Sequence, residues 1–411
     1  MSVMAIATAR SVEVGLMIDV KELDDLIDGT RQDIFSVFLD VDPTKPEHQG
    51  PKRAYRIWLH QAMRQALAGI VGPARDAALR TGRKVLAHVD TAPSRGRGLA
   101  IFAAPRLWRE YSLPFPLPNS VQYGRADLVP LLWAISEYKT YAVVAVYLDH
   151  ARIAVAHLGR TVVIEDETLE LDTRDWRFKS GRPGTFTRRT GVGAGRGAQA
   201  DTFDSRVDEH RRQFWRRVAH AAVRTLGDLH IDRVIMGGSE EAVTAVREFL
   251  PEAIRAHVID TVTLPSYATL ADVQERTLPI ALADHHRRES ALVGSLLARV
   301  EADGSGVVGR AATFMSLMQG EVKTLVVARD LDGDIWRCAQ CESLSTERTR
   351  TCPGCGKAVD RVPLRQVLPT LARRHGAGIE VVGSPTSSQL TNGIGALLRY
   401  RAPHEVDEAA R

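Results

Sequence analysis

The chain of 411 residues has only four cysteines, and none lies outside the short stretch from Cys338 to Cys355. A disulfide framework spread over the fold is therefore excluded. Long apolar runs are lacking too. The longest, YAVVAVYL from Tyr141 to Leu148, has the length of a strand and falls far short of the ~20 residues of a membrane-spanning helix. The N-terminal stretch MSVMAIATARSVEVGLMIDV carries no early basic cluster and is interrupted by Arg10 and Glu13, which makes it a poor signal peptide. The expected location is the cytoplasm, with no membrane contact. No charge of one sign dominates: 54 Lys and Arg against 50 Asp and Glu leave +4, so any affinity for nucleic acid must come from local patches. No Ser-His-Asp constellation and no facing pair of carboxylates stands out. What remains is an ordinary globular composition, 44% hydrophobic and 25% charged, in a chain long enough for several domains.

The cysteines fall as C-x2-C-x10-C-x2-C: Cys338 and Cys341 in CAQC, Cys352 and Cys355 in CPGC. Two pairs on two tight turns give the four donors that tetrahedral zinc takes, and Gly354 and Gly356 supply turn freedom. Two disulfides or a redox CxxC pair are the competing readings. A reducing cytoplasm favours zinc, and four thiolates leave no open coordination position. The expectation is structural Zn2+ in a ribbon over residues 338–356.

Three α/β blocks follow one another, divided near residues 120 and 275: an N-terminal block at 1–120, a central one at 121–275 and a third at 276–411. The first reads as a helix at VKELDDLIDGTR, a strand at DIFSVFLDVDP, one long amphipathic helix from Ala54 to Gly82 and a strand at GLAIFAAP, with the proline-spaced LPFPLPNS as its end. The second opens with the helix RADLVPLLWAISEY and a meander through YAVVAVYLD, ARIAVAHLG and TVVIEDETLEL. A basic helix, the strand RVIMGG, the helix SEEAVTAVREFLP, in which Ser239 stands at the N-cap, and the strand HVIDTVTLP complete it. The third alternates ALADHHRRESALVGSLLARVEA, RAATFMSLMQGE, VKTLVVARDL, LRQVLPTLARRHG and IEVVG. His285 and His286 read as part of a solvated helix face rather than a metal site, and Asp40 and Asp42 as exposed strand residues.

Between the meander and the basic helix lies TGVGAGRGAQ, with four glycines in ten residues. The G-x-G-x-x-G spacing of a dinucleotide cradle is missing, and no apolar strand leads into the loop. A solvated linker is the plain alternative. The surroundings argue for RNA: Arg174, Arg177, Lys179, Arg182, Arg188, Arg189 and Arg196 face a single acid, Asp175, with Trp176, Phe178 and Phe186 among them. The following helix adds Arg206, Arg211, Arg212, Arg216 and Arg217, with Phe203, Phe214 and Trp215. Arginines beside aromatics suit phosphate contact and base stacking.

The stretch GRGAQADTFDSRVDEHRRQFWRRVAHAA (Gly195 to Ala222) resembles the segment of archaeal and eukaryotic class 1 peptide release factors in which a G-R-G-G-Q tip leads into a basic helix. Two further stretches agree in order. FMSLMQGEVKTLVVARDLD is similar to the family's L-x-x-G-A-V-x-x-L-L-I, and GIGALLRY (Gly393 to Tyr400) to its G-I-G-G-I-L-R-Y. The cysteines sit where archaeal members carry a zinc minidomain. The resemblance covers roughly residues 121 to 402. It implies a three-domain α/β protein with an L7Ae-like C-terminal domain that bears the ribbon, and a central domain that enters the ribosomal A site as a tRNA mimic. Its partners would be rRNA and a translational GTPase, and the protein itself a monomer. Gln199 would be the glutamine that orients water at the peptidyl-tRNA ester, and Gly197 the first glycine.

Two departures qualify that implication. Ala198 stands in place of the second glycine, which sets peptidyl-tRNA hydrolysis against simple A-site binding. The N-I-K-S and Y-x-C-x-x-x-F elements that read stop codons do not occur in residues 1–120. The sequence thus looks like a divergent bacterial-type relative, akin to Pelota and the Balon-type factors, acting in ribosome rescue or hibernation. An RNA-binding adaptor acting off the ribosome is the alternative.

Overall fold

A computed structural model describes Leu26 and residues 31–50, 52–68, 70–91, 96–169, 197–302, 304–338, 340–341 and 343–400, with backbone only at 197–206. The helix expected at VKELDDLIDGTR lies almost wholly outside the described residues. The chain forms two compact units. One spans Thr140–Leu282, and the other holds the described residues up to Lys139 together with those from Ala283 onward. The described residues of the first block and those of the third from Ala283 onward thus fall within one unit.

In the Thr140–Leu282 unit, five strands form a sheet in the order β7-β6-β5-β8-β9: β5 Tyr141–Val146, β6 His150–His157, β7 Arg160–Thr168, β8 Val234–Gly238 and β9 Val258–Thr263. The expected meander is there, since β5, β6 and β7 are paired antiparallel, while β8 and β9 join parallel. Side chains alternate between two buried faces, the pattern of a sheet covered on both sides. Val144, Val146 and Met236 meet the helices α4 (Gly197–Asp228) and α5 (Glu240–Phe249), followed by the short α6 (Glu252–Arg255). Tyr141, Val143 and Ile235 meet the first part of the helix α7 (Leu270–Ala302). Gly238 ends β8 at φ 116, where an added Cβ would stand 1.9 Å from the Val146 carbonyl oxygen, so a larger residue cannot fit. Ser239 occupies the N-cap of α5 as expected, but its hydroxyl makes no capping bond.

The second unit carries three sheets. The first has the order β3-β2-β1-β4, with β1 Ile34–Asp40, β2 Gly98–Ala104, β3 Leu107–Leu113 and β4 Ser120–Gly124, all antiparallel. Phe35, Val37, Leu39 and Ile101 pack against α1 (Ala54–Ala68) and α2 (Ala74–Thr91). The single long helix expected there is broken in two: Gly72 turns at φ 74 just before Pro73, which lacks the N–H a continuing helix needs. The proline-spaced stretch does not end the block either, because β4 follows it and pairs with β1. Further along, α3 (Val129–Glu137) packs on a second sheet of order β10-β16-β11-β15: β10 Gly306–Val308, β11 Val322–Ala328, β15 Gly378–Val382 and β16 Ile394–Leu398. The latter part of α7, from Ala283, covers this sheet through Val293 and Leu296, and α8 (Arg310–Met318) and α9 (Leu364–Arg374) also pack on it. A third sheet, β13-β12-β14, is inserted between β11 and α9: β12 Asp334–Cys338, β13 Leu344–Ser345 and β14 Val359–Pro363.

One long-range pair within this unit is buried. Asp127 is fully enclosed, its N–H donates to Ser36 Oγ at 2.9 Å, and Arg365 Nε donates to its Oδ1 at 3.0 Å. Burial pushes the Asp127 carboxyl above its ordinary range while the Arg365 guanidinium pulls it back. The contact joins the start of α9 to the chain just ahead of α3.

Candidate functional site

Two regions carry the residues singled out in the sequence. The first is α4. Glycine is a weak helix former and alanine the strongest, and the described helix starts at Gly197 and takes Ala198 and Gln199 into its first turn. Arg174, Arg177, Lys179, Arg182, Arg188, Arg189 and Arg196 lie outside the described residues, and the side chain of Arg206 is likewise outside. From Val207 onward the helix is amphipathic. Phe214, Val218 and Ala222 recur at i, i+4 and i+8, and Trp215, Ala219 and Leu226 reinforce the same buried stripe.

This corrects one expectation. The sequence offers Phe214 and Trp215 as base-stacking aromatics, but Phe214 is fully buried and Trp215 is 6% exposed, with its indole N–H bonded to the Tyr147 carbonyl at 3.2 Å. Their spacing with Val218 and Ala219 makes them core residues, unavailable to a nucleobase. The opposite face is basic. Arg212, Arg216 and Arg217 are exposed, and Arg211 is half-buried and bonded to Asp208 at 3.3 Å. Arg216 lies 5.2 Å over the Phe249 ring and Arg217 5.7 Å over Phe214, which holds both guanidinium groups against the surface as pre-positioned donors. Such a face can contact phosphates.

The second region is the four-cysteine cluster on the three-stranded sheet. Antiparallel pairing of β12 with β14 brings Cys338 opposite Val359, and two turns bring the buried Cys352 and the exposed Cys341 and Cys355 beside it. Cys338 N–H donates to the Ser343 carbonyl at 2.9 Å, and Gly356 N–H to the Cys352 carbonyl at 2.8 Å with Gly356 at φ 68. None of the four forms a disulfide, which removes that reading. The Sγ atoms stand 3.4 Å apart in the pairs Cys338–Cys355 and Cys341–Cys352, and all four lie within 4.8 Å of one another. A tetrahedron with metal–sulfur bonds of about 2.3 Å has edges of ~3.8 Å, so the donor set fits one metal ion. The electrostatics point the same way. The Ser343 hydroxyl and the Cys355 and Gly354 N–H groups hold Cys352 down to about 6. At Cys355 the Lys357 N–H lowers the thiol, yet the crowd of sulfurs outweighs it and pushes Cys355 up to about 12. Four thiolates could share this space only with a cation among them, which makes the set a candidate metal centre.

Two sets of residues differ from their expected settings. Asp42 is buried, not exposed: Arg97 Nε donates to its Oδ2 at 2.7 Å and Thr44 Oγ1 to its Oδ1 at 2.7 Å. Its carboxyl is held at about 2, mainly by the Arg97 hydrogen bond. His285 is also buried, beside Glu137 and Glu289, whereas His286 next to it is exposed, as expected of a solvated helix face. The signal was present in His285 and Glu289, four apart on one helix face; Glu137 was invisible to any local pattern.

Residues 127–282 match the family model described as "Bacterial archaeo-eukaryotic release factor family 10", and that span contains Gly197–Gln199 and all of α4. This likeness to archaeo-eukaryotic release factors extends over less than half of the chain. Solved structures are similar at low identity. The archaeal translation termination factor aRF1 matches over 93% of this chain and 97% of its own, at 14% identity and a TM-score of 0.27. Dom34 of S. cerevisiae, a translation termination-like factor interacting with Hbs1, matches over 66% and 65%, at 10% identity and a TM-score of 0.37. Archaeoglobus fulgidus Pelota matches over 76% and 82%, at 12% identity and a TM-score of 0.33. No curated protein matches the chain. No helix among the described residues is long and apolar enough to cross a membrane.

Proposed function

We propose that the chain is a ribosome-associated translation factor that enters the A site without reading a stop codon, in ribosome rescue or hibernation. The observation that carries this reading is the family match over residues 127–282, because one segment holds both the glycine–glutamine tip and the basic helix behind it. The exposed guanidinium groups of Arg212, Arg216 and Arg217 support it as a face suited to rRNA phosphates. A translational GTPase as companion, an L7Ae-like third domain and one Zn2+ held by Cys338, Cys341, Cys352 and Cys355 belong to the same reading. The zinc would staple a small sheet, since four thiolate ligands leave no position for substrate.

On the chemistry, Ala198 favours binding over hydrolysis. Alanine extends the helix to the tip, whereas a glycine there would free the backbone to re-route around a peptidyl-tRNA ester. Gln199 retains the amide that could orient water.

The test is co-sedimentation with vacant and stalled bacterial ribosomes over a range of salt. The variant Arg188→Ala/Arg189→Ala/Arg196→Ala should bind more weakly, with a log–log salt slope shallower by roughly 2 to 3, at about 0.7–0.9 per lost phosphate contact. Unchanged binding at every salt concentration overturns the placement of this loop in RNA. Binding to free RNA but not to ribosomes points to the adaptor instead. Ribosomes carrying labelled peptidyl-tRNA then decide the chemistry. Release by the wild type that drops about 10²-fold or more in Gln199→Ala establishes hydrolysis, and equal binding with no release establishes the plug.

A further inference from the structure

The cluster of Glu137, His285, His286 and Glu289 lies entirely in the second unit and is used by nothing described above. Glu137 closes α3, and the other three sit in the middle of α7, 149 positions separating Glu137 from His286. The apolar residues of α3 (Leu131, Trp133 and Ala134) are buried, and they carry Glu137 in with them. Its side chain is only 10% exposed, and that of Glu289 only 5%. Two carboxylates held together away from water oppose each other's charge and call for a cation. Among the described residues their ion-pair partners are the two histidines.

The distances are those of donors converging on a common point. Glu137 Oε1 is 2.9 Å from His286 Nε2, Glu137 Oε2 is 3.6 Å from His285 Nε2, and His285 Nε2 is 3.3 Å from Glu289 Oε1. Donor atoms of Glu137, His286 and Glu289 all lie within 4.8 Å of one another. Metal–nitrogen and metal–oxygen bonds of about 2.0–2.2 Å place neighbouring donors ~2.8–3.6 Å apart, the range of the three distances just given. His285 supplies an independent sign. It is nine-tenths buried and its Nε2 is aimed between the two carboxylates, yet that atom makes no hydrogen bond. Glu289 Oε1 also accepts the Gly383 N–H at 3.2 Å, the kind of outer contact that fixes a ligand's orientation.

We propose that Glu137, His286 and Glu289, with His285 Nε2 beside them, bind one divalent transition-metal ion at a site distinct from the four cysteines. Mixed imidazole and carboxylate donors suit zinc, iron(II) or nickel, whereas the thiolate cluster draws softer coordination. Bound there, the ion would pin the end of α3 to the middle of α7.

Cobalt(II), titrated into the full-length protein, is the probe. Thiolate ligation gives an intense near-ultraviolet charge-transfer band, and imidazole–carboxylate ligation gives only weak visible bands. The wild type should bind an equivalent that raises the weak bands with no growth in charge transfer, over and above any thiolate-bound cobalt. Cobalt that is all thiolate-bound overturns the proposal on the wild type, with no variant needed. His286→Ala and Glu289→Gln should each lose the non-thiolate equivalent and keep the charge-transfer band, with far-UV circular dichroism unchanged. A non-thiolate equivalent that survives in the two together overturns it as well. Glu137→Gln makes the same test from α3 should the α7 variants fail to fold.

Discussion

The cysteine cluster and the histidine–glutamate cluster make an instructive pair. Each gathers four metal-capable side chains close together within the same unit, yet one was plain in the sequence and the other was not. Cys338 to Cys355 occupy adjacent turns of one small sheet, so their spacing alone places the sulfurs within 4.8 Å. Glu137 reaches His285 and His286 only because α3 and the part of α7 from Ala283 are folded into the same unit. The first cluster is therefore a local device whose geometry costs little chain entropy. The second exists only when a large part of the chain is already folded.

Four outcomes would break or sharpen that contrast. The largest effect is expected at Cys338→Ser, which should remove the metal proposed at the four cysteines. Structural zinc in small domains carries ~10–16 kcal/mol of apparent binding energy, so β12–β14 should melt while the flanking sheet survives. Metal analysis with limited proteolysis reads both; a ribbon that stays folded and metal-loaded would show that its geometry does not rest on the four sulfurs.

The next effect tests a partnership drawn from afar. Arg365→Ala leaves the buried Asp127 carboxyl without its cation, across 238 positions of sequence. Breaking such a pair costs about 3–5 kcal/mol, read as a lowered denaturation midpoint of the whole unit. A shift under about 1 kcal/mol would mean the pair is a by-product of packing.

A smaller effect appears in acid. Asp42 is held at about 2 against its ordinary 3.8. In the window between these values the unfolded chain binds the extra proton, so stability rises with pH there. The contribution is complete above the ordinary carboxylate range and is lost as pH falls toward 2. Arg97→Ala should flatten this part of a pH–stability profile; an unchanged profile would remove Asp42 from the acid response.

The smallest is Arg224→Ala on α4. Arg224 pairs with Glu165 of β7, but its side chain is 60% exposed. A loss below about 1 kcal/mol in urea denaturation is expected, because exposed pairs gain little over water. A larger loss would mark that pair as part of the unit's core.

The sequence by itself determined the elements with a strong local signal. Alternation wrote the meander β5–β6–β7, turn residues and spacing wrote the cysteine cluster, and the ordered run from Gly195 to Ala222 wrote the family resemblance. It misread the aromatics of α4, because Phe214 and Trp215 look the same whether they face a base or a sheet, and only the i, i+4 company of Val218 and Ala219 tells which. It missed β3 and β4, whose half-exposed residues give no clean alternation, and it joined α1 to α2 across Gly72 and Pro73. What the tertiary structure alone decided is which distant polar groups lose water together: Asp42 with Arg97, Asp127 with Arg365, Glu137 with His285 and Glu289. The physical reason is range. Backbone preference and side-chain period act over a few residues, whereas the desolvation that forces charges to find partners is set by packing between elements far apart in the chain.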